Sequence, residues 1–386
     1  MTLDHDMEWG LKFSALIETL QTFIARFAHR ELEQRLGGLF AADPAHGHAT
    51  VVDSNRIAER CILSEMHFRA SERIPLPIRI PEPLIPVFLK VTRANRTFVS
   101  EAGAHQRIRE RALRPEPYGP PTRLEGARVD RRLPNPLGWP VYDVEPANRA
   151  QNGEGQEPVV VYIHGGGWVN EIRLQHWQLS ARVARESRQR VVVPIYPLVP
   201  FGTAREVRDG VVELVREELD AGNEVRLAGD SAGGQIVLSV ALELRDQGVV
   251  LPAVTLLSPA LDLTWKNPRI DAVQPSDPWL GRPGGRVLAE AWRGADPIED
   301  PVVSPLFGDM SGLGPLTILT GTRDVLNPDA QILRDKAGAA GVQVSWHEAN
   351  GQLHVYALLP TETGEQGARI IVESLQPSKG MHGASA

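Results

Sequence analysis

The sequence predicts an α/β fold in which a mostly parallel sheet carries helices on both faces. Three observations point there. Short, continuous apolar runs recur from residue 139 onward, as strands buried on both faces require. Stretches with apolar residues at three- and four-residue spacing fall between them. One strand-like run ends in "GDSAGG" and passes directly into a helical pattern, which needs a tight strand-to-helix turn.

The elements follow in order. In residues 11–36, Phe13, Leu16, Ile17, Leu20, Phe23, Ile24 and Phe27 form one apolar face, which predicts an amphipathic helix. Packing on the main domain is its simplest use; a dimer contact or a membrane surface are the others. Pro75, Pro77, Pro81, Pro83 and Pro86 exclude a continuous helix or central strand there. Between Arg93 and Arg132 arginines are frequent but interrupted by glutamates and prolines, the pattern of a solvated, irregular surface. The turn signals "YGPPTR" and "LPNPLGW" divide an N-terminal region, residues 1–137, from a main domain, residues 138–376.

Within that domain, strands are expected at 139–144, 158–164, 189–197, 224–230, 253–259, 316–321 and 342–348. Helices are expected at 203–220, 233–248 and 328–341. The rhythm breaks between 262 and 315, a segment rich in Pro, Gly, Trp and Asp that reads as an insertion. Residues 377–386 read as a flexible tail.

Composition excludes several function classes. The 48 acidic and 41 basic residues give a net charge of -7, against a nucleic-acid footprint. A single cysteine, Cys61, excludes an internal disulfide and a CxxC metal or redox site, and fits a reducing compartment. The acidic start "MTLDHDMEWG" lacks the basic-then-apolar order of a signal peptide. No run reaches the roughly 18 apolar residues of a spanning helix. The expectation is a cytoplasmic protein without stable membrane insertion.

The chemistry is concentrated in two glycine-rich turns. Gly229-Asp230-Ser231-Ala232-Gly233 is a G-x-S-x-G sequence in its required strand–turn–helix context, which makes Ser231 the candidate nucleophile. His164-Gly165-Gly166-Gly167 follows another strand and can offer backbone N–H groups to a developing oxyanion. Gly165, Gly166 and Ala232 are the expected donors. His164 lies on that side of the nucleophile, so bracing the loop suits it better than acting as base. A serine needs a histidine to take its proton, and the histidine needs a carboxylate. Chain order Ser, acid, His selects Asp324 and His354, each after a strand. Their rivals are Asp329, placed to cap a helix after Pro328, and His347, inside a strand.

With HGGGW, GDSAGG, "DPVVSPL" (300–306), "GTRDVL" (321–326) and "HVYALLP" (354–360) in this order, the sequence resembles the hormone-sensitive lipase family of α/β-hydrolases, also called family IV esterases. The resemblance covers roughly residues 138–376. It implies an α/β-hydrolase fold with Ser231 as nucleophile, His354 as base and acid, and Asp324 orienting it. It implies an oxyanion hole at Gly165, Gly166 and Ala232. It also implies a mainly helical cap from the N-terminal region and about 262–300. The chain departs from the family's usual Y-R-L-A-P at Tyr196-Pro197-Leu198-Val199-Pro200.

The expected reaction is hydrolysis of short- to medium-chain acyl esters through an acyl-enzyme, with no metal or cofactor. An amidase or lactonase with the same triad, or a non-catalytic binding protein on this scaffold, are the alternatives. Trp168, Trp265 and Trp279 are the expected substrate-binding aromatics. A small-molecule ester is the expected partner, and a homodimer the assembly the resemblance implies.

Overall fold

The computed structural model describes residues 81–91, 94–114, 116–132, 138–148 and 157–377. The helix expected at 11–36, Cys61, Pro75, Pro77 and residues 378–386 lie outside them.

Eight strands form one sheet: β1 Ala127–Arg131, β2 Val141–Pro146, β3 Pro158–Ile163, β4 Arg190–Pro194, β5 Glu224–Asp230, β6 Val254–Leu257, β7 Leu316–Gly321 and β8 Val344–Ala349. Their spatial order is β1-β2-β4-β3-β5-β6-β7-β8. β2 runs antiparallel to β1 and β4. Every other neighbouring pair is parallel. The main helices are α1 Glu101–Leu113, α2 Leu174–Ser187, α3 Ala204–Asp220, α4 Ala232–Asp246, α5 Arg282–Arg293, α6 Asn327–Ala339 and α7 Glu362–Ser374.

The apolar runs have a direct cause. In β3, Val159, Val161 and Ile163 join one core with Val211 and Leu214 of α3 and Ile236 of α4. Val160 and Tyr162 join a second core with Trp177 and Val183 of α2 and Ile371 of α7. Both faces are covered, so successive residues are apolar rather than alternating.

This order creates one crevice that matters. From β3 the chain crosses to β4, and from β5 it crosses to β6, in opposite directions along the sheet. The carboxyl ends of β3 and β5 therefore open at a topological switch point, where α/β sheets bind ligands. The histidine-glycine turn leaves β3 there, and the serine turn leaves β5.

The structure differs from expectation in several places. β1 pairs with β2 and brings the sheet upstream of residue 138. Its sequence "ARVDR" shows one large apolar residue, because it is a largely exposed edge. Residues 101–113 form a helix where an irregular surface was expected. Few large apolar residues mark it; Gly103, Ala104 and Arg111 are what it buries. The insertion contains α5, whose opening "RPGG" hides the helical pattern that Leu288, Ala289 and Trp292 carry. Helices α2 and α7 also went unread. Helix α1 packs against α5.

Candidate active site

Ser231 sits between β5 and α4 with φ 51° and ψ -117°, a left-handed backbone for a residue with a side chain. Such a conformation costs about 1–3 kcal/mol. Helix α4 outweighs it, because Ile236, Val237, Leu238, Val240 and Leu244 are buried at about 1.5–3 kcal/mol each. The flanking glycines are required by closeness. A Cβ on Gly233 would stand 2.0 Å from the Ile163 carbonyl oxygen, and one on Gly229 would stand 2.6 Å from that of Gly233.

The triad is assembled by hydrogen bonds. The Ser231 Oγ donates to His354 Nε2 at 2.9 Å. His354 Nδ1 donates to Asp324 Oδ2 at 2.8 Å. The other Asp324 oxygen accepts the Leu326 N–H at 2.9 Å. Asp324 and His354 are buried, while Ser231 is half-buried. Burial pulls the imidazole pKa down, but Asp324, Asp277 and Asp230 more than offset it, so His354 lies above its ordinary value. Val355 adopts a left-handed backbone, and its N–H donates to Ser258 Oγ at 3.1 Å, which fixes the histidine turn.

The rivals stand elsewhere. Asp329 makes no helix cap; it is buried and accepts from Asn267 Nδ2 at 2.6 Å. His347 lies on edge strand β8, with Nε2 2.9 Å from Ser345 Oγ.

The oxyanion loop corrects one expectation. The Gly165 N–H donates to Asp230 Oδ1 at 2.9 Å, so it is already engaged. Among the described residues, the N–H groups of Gly166, Gly167 and Ala232 have no acceptor. Among the described residues, the Gly167 N–H is thus open where that of Gly165 is taken. Three glycines were visible in the sequence, but not which N–H the neighbouring aspartate would take.

Asp230 is the hub that joins the two turns. Its Oδ1 also accepts the Tyr162 hydroxyl at 2.6 Å, and Oδ2 lies 3.4 Å from His176 Nε2. Burial raises its pKa, but His176 and the hydrogen bonds from His176, Tyr162 and Gly165 bring it below the ordinary value. His164 braces the loop: its Nδ1 donates to the Gly165 carbonyl at 2.7 Å, and its own carbonyl accepts the Tyr196 hydroxyl at 2.8 Å. Burial, with His176 beside it, lowers its pKa to about 3, so it is neutral.

A second brace comes from α1. Arg107 Nε donates to Asn170 Oδ1 at 2.7 Å, and Asn170 Nδ2 donates to the Gly166 carbonyl at 3.1 Å. The buried pair of Arg111 and Glu171 lies one turn further along the helix.

The tryptophans separate. Trp168 is buried, stacked on Trp292, and donates to Gln235 Oε1 at 3.1 Å. Trp265 is buried against Gly285. Both are core side chains. Trp279 presents a ring edge-on to His354, with centroids 5.8 Å apart. Among the described residues, no group of three or more His, Cys, Asp or Glu could hold a metal ion. Among them too, no helix is long and apolar enough to cross a membrane.

Comparison with known proteins agrees with this fold. Residues 160–358 match the α/β hydrolase fold family. The chain is 33% identical over 227 residues to a triacylglycerol lipase of Mycobacterium tuberculosis; the match covers 58% of this chain and 46% of that protein. It thus spans about half of that relative's length. It is 32% identical over 202 residues to an acetyl-hydrolase of Streptomyces hygroscopicus, covering 51% and 67%. The crystal structure of an esterase from the bacterial hormone-sensitive lipase family superposes with a TM-score of 0.61 at 26% identity, covering 72% of this chain and 97% of that one. With this fold, this order of motifs and these relatives, the chain belongs to the hormone-sensitive lipase family of α/β hydrolases, a family of carboxylic ester hydrolases.

Proposed function

We propose that this protein is a serine carboxylesterase that hydrolyses short- to medium-chain acyl esters through an acyl-enzyme. The observation that carries the reading is the unbroken chain Ser231–His354–Asp324, beside unpartnered N–H groups at Gly166, Gly167 and Ala232.

In this reading His354 Nε2 takes the Ser231 proton as Oγ attacks the ester carbonyl. Asp324 holds the imidazole in the tautomer that can accept it. The N–H groups of Gly166, Gly167 and Ala232 receive the oxyanion, where charge develops. The alcohol departs with the proton from His354. Water, deprotonated by the same histidine, then adds to the acyl-enzyme and releases the acid. The short acyl preference rests on the family resemblance, one of whose relatives is named an acetyl-hydrolase.

The test is hydrolysis of p-nitrophenyl esters from acetate to palmitate, wild type beside Ser231→Ala. Rates should peak at short chains, and kcat should fall about 10⁴-fold or more in the variant. Undiminished hydrolysis by Ser231→Ala, or none by folded wild type on any ester, would overturn the proposal.

A further inference from the structure

A short segment of the insertion ahead of α5, Asp277-Pro278-Trp279-Leu280, reaches the triad. Asp277 is buried. Its Oδ1 accepts the N–H groups of Trp279 at 2.8 Å and Leu280 at 2.9 Å, an aspartate turn closing on its own backbone. Its Oδ2 accepts the Val325 N–H at 3.0 Å. Val325 directly follows Asp324. Two residues beyond Asp277, the Trp279 ring meets the His354 imidazole edge-on at 86°. One segment thus grips the acid loop by a carboxylate and covers the base with a ring.

We propose that Asp277 is a positioning residue for the triad: it fixes the peptide after Asp324, and its negative charge stabilises the His354 imidazolium formed during acyl transfer. This rests on the serine-hydrolase reading and deepens it.

The surrounding charges are consistent with the role. Asp324 and Asp230 are the other carboxylates acting on His354. Arg323 donates from Nε to the Ser276 carbonyl at 3.2 Å, Arg282 pairs with Asp271, and Glu82 accepts from Gln352. Burial and the neighbouring Asp324 raise the Asp277 pKa to about 6. Asp277 is therefore ionised on the alkaline side, where a neutral His354 must accept a proton. With the charge present, the imidazolium is favoured; without it, His354 releases its proton at lower pH.

The experiment is a titration of the His354 imidazole by NMR in wild type, Asp277→Asn and Asp277→Ser, with the resonance assigned by His354→Gln. The kcat/KM profile on p-nitrophenyl acetate is recorded alongside. Both Asp277 variants should lower the His354 midpoint by about half a unit or more and move the acidic limb with it. Plateau kcat should fall about tenfold with KM nearly unchanged, the pattern of a lost transition-state interaction. Serine keeps an acceptor for the turn but no charge, so it carries the test if the asparagine variant fails to fold. An unchanged midpoint in a folded variant, even with lowered kcat, reduces Asp277 to a turn-former and overturns the proposal. The NMR titration needs no turnover, so an inactive wild type would sink the esterase reading separately.

Discussion

The carboxylate of Asp230 accepts the Gly165 N–H at 2.9 Å and so joins the residue before the nucleophile to the first glycine of the oxyanion loop. Asp230→Asn puts an amide donor among Tyr162, Gly165 and His176, all of which donate to this side chain. Leaving one buried donor unpaired costs about 1–3 kcal/mol. Urea unfolding at pH 8 should show that loss, and kcat should fall with it. The sign with pH follows from the lowered pKa. The ionised form contributes stability above the unfolded value of about 3.9, lost as pH falls through the folded value. The gap between wild type and variant should therefore narrow in strong acid.

Two buried aspartates after β7 should respond oppositely. Asp324→Asn breaks the tautomer control of His354 and should lower kcat about 10³–10⁴-fold. Asp329→Asn should leave kcat within about twofold, because its carboxylate contacts Asn267. Burial raises the Asp329 pKa to about 7. An ionised Asp329 destabilises the fold, by an amount that grows as pH rises from the unfolded value of about 3.9 and is complete above about 7. Asp329→Asn should therefore raise Tm at pH 8 and lose that advantage by pH 4. Comparable losses of kcat in both variants would contradict the assignment of Asp324.

As the proposed base, His354 should set the acidic limb of the wild-type rate. Its pKa lies above the ordinary 6.5, so kcat/KM should fall as pH drops through a midpoint above that value. Stability moves the other way. The raised pKa contributes stability below the unfolded value, and that contribution is lost as pH rises through the folded one. Paired rate and unfolding curves between pH 5 and about 9 check both signs.

Asn170 tests the oxyanion peptide. The Gly166 carbonyl accepts from the Asn170 backbone at 3.0 Å and its side chain at 3.1 Å. That carbonyl shares a peptide plane with the Gly167 N–H, so fixing one aims the other. Asn170→Ala also removes the acceptor of the Arg107 Nε–H. Because one donor is worth up to about 10²–10³ in kcat, loosening its aim should lower kcat about 3–10-fold with KM nearly unchanged. An equal change in KM would indicate a substrate contact instead.

The residues proposed to bear the chemistry were the most legible in the sequence. Ser231, Asp324 and His354 each lie in a turn that follows a strand, where apolar runs and glycine mark the backbone. The structure brings all three together. What was illegible depends on long-range choices. Gly165 and Gly167 look alike in a glycine run; only the position of Asp230 separates them. Trp168 and Trp265 carry no mark distinguishing a pocket wall from a core, and Gln235 and Gly285 decide it. Asp277 resembles any turn aspartate until its second oxygen is seen on Val325. Helix α1 was missed because it is held by Arg107 and Arg111 rather than by an apolar stripe.

The packing of α1 against α5 has a kinetic consequence. These pieces are distant in sequence: Asn95, just ahead of α1, donates to the Pro278 carbonyl across 183 residues. Contacts of such separation bring their reward only after a large loop has closed. The β3–α2–β4 unit closes over much shorter loops. During refolding, sheet structure should return first, and the docking of α1 on α5, which holds Pro278 beside Trp279 and His354, should come later. Recovery of esterase rate would then lag recovery of circular dichroism, with the interval measuring how long the enzyme exists as a folded sheet with an unfinished active site.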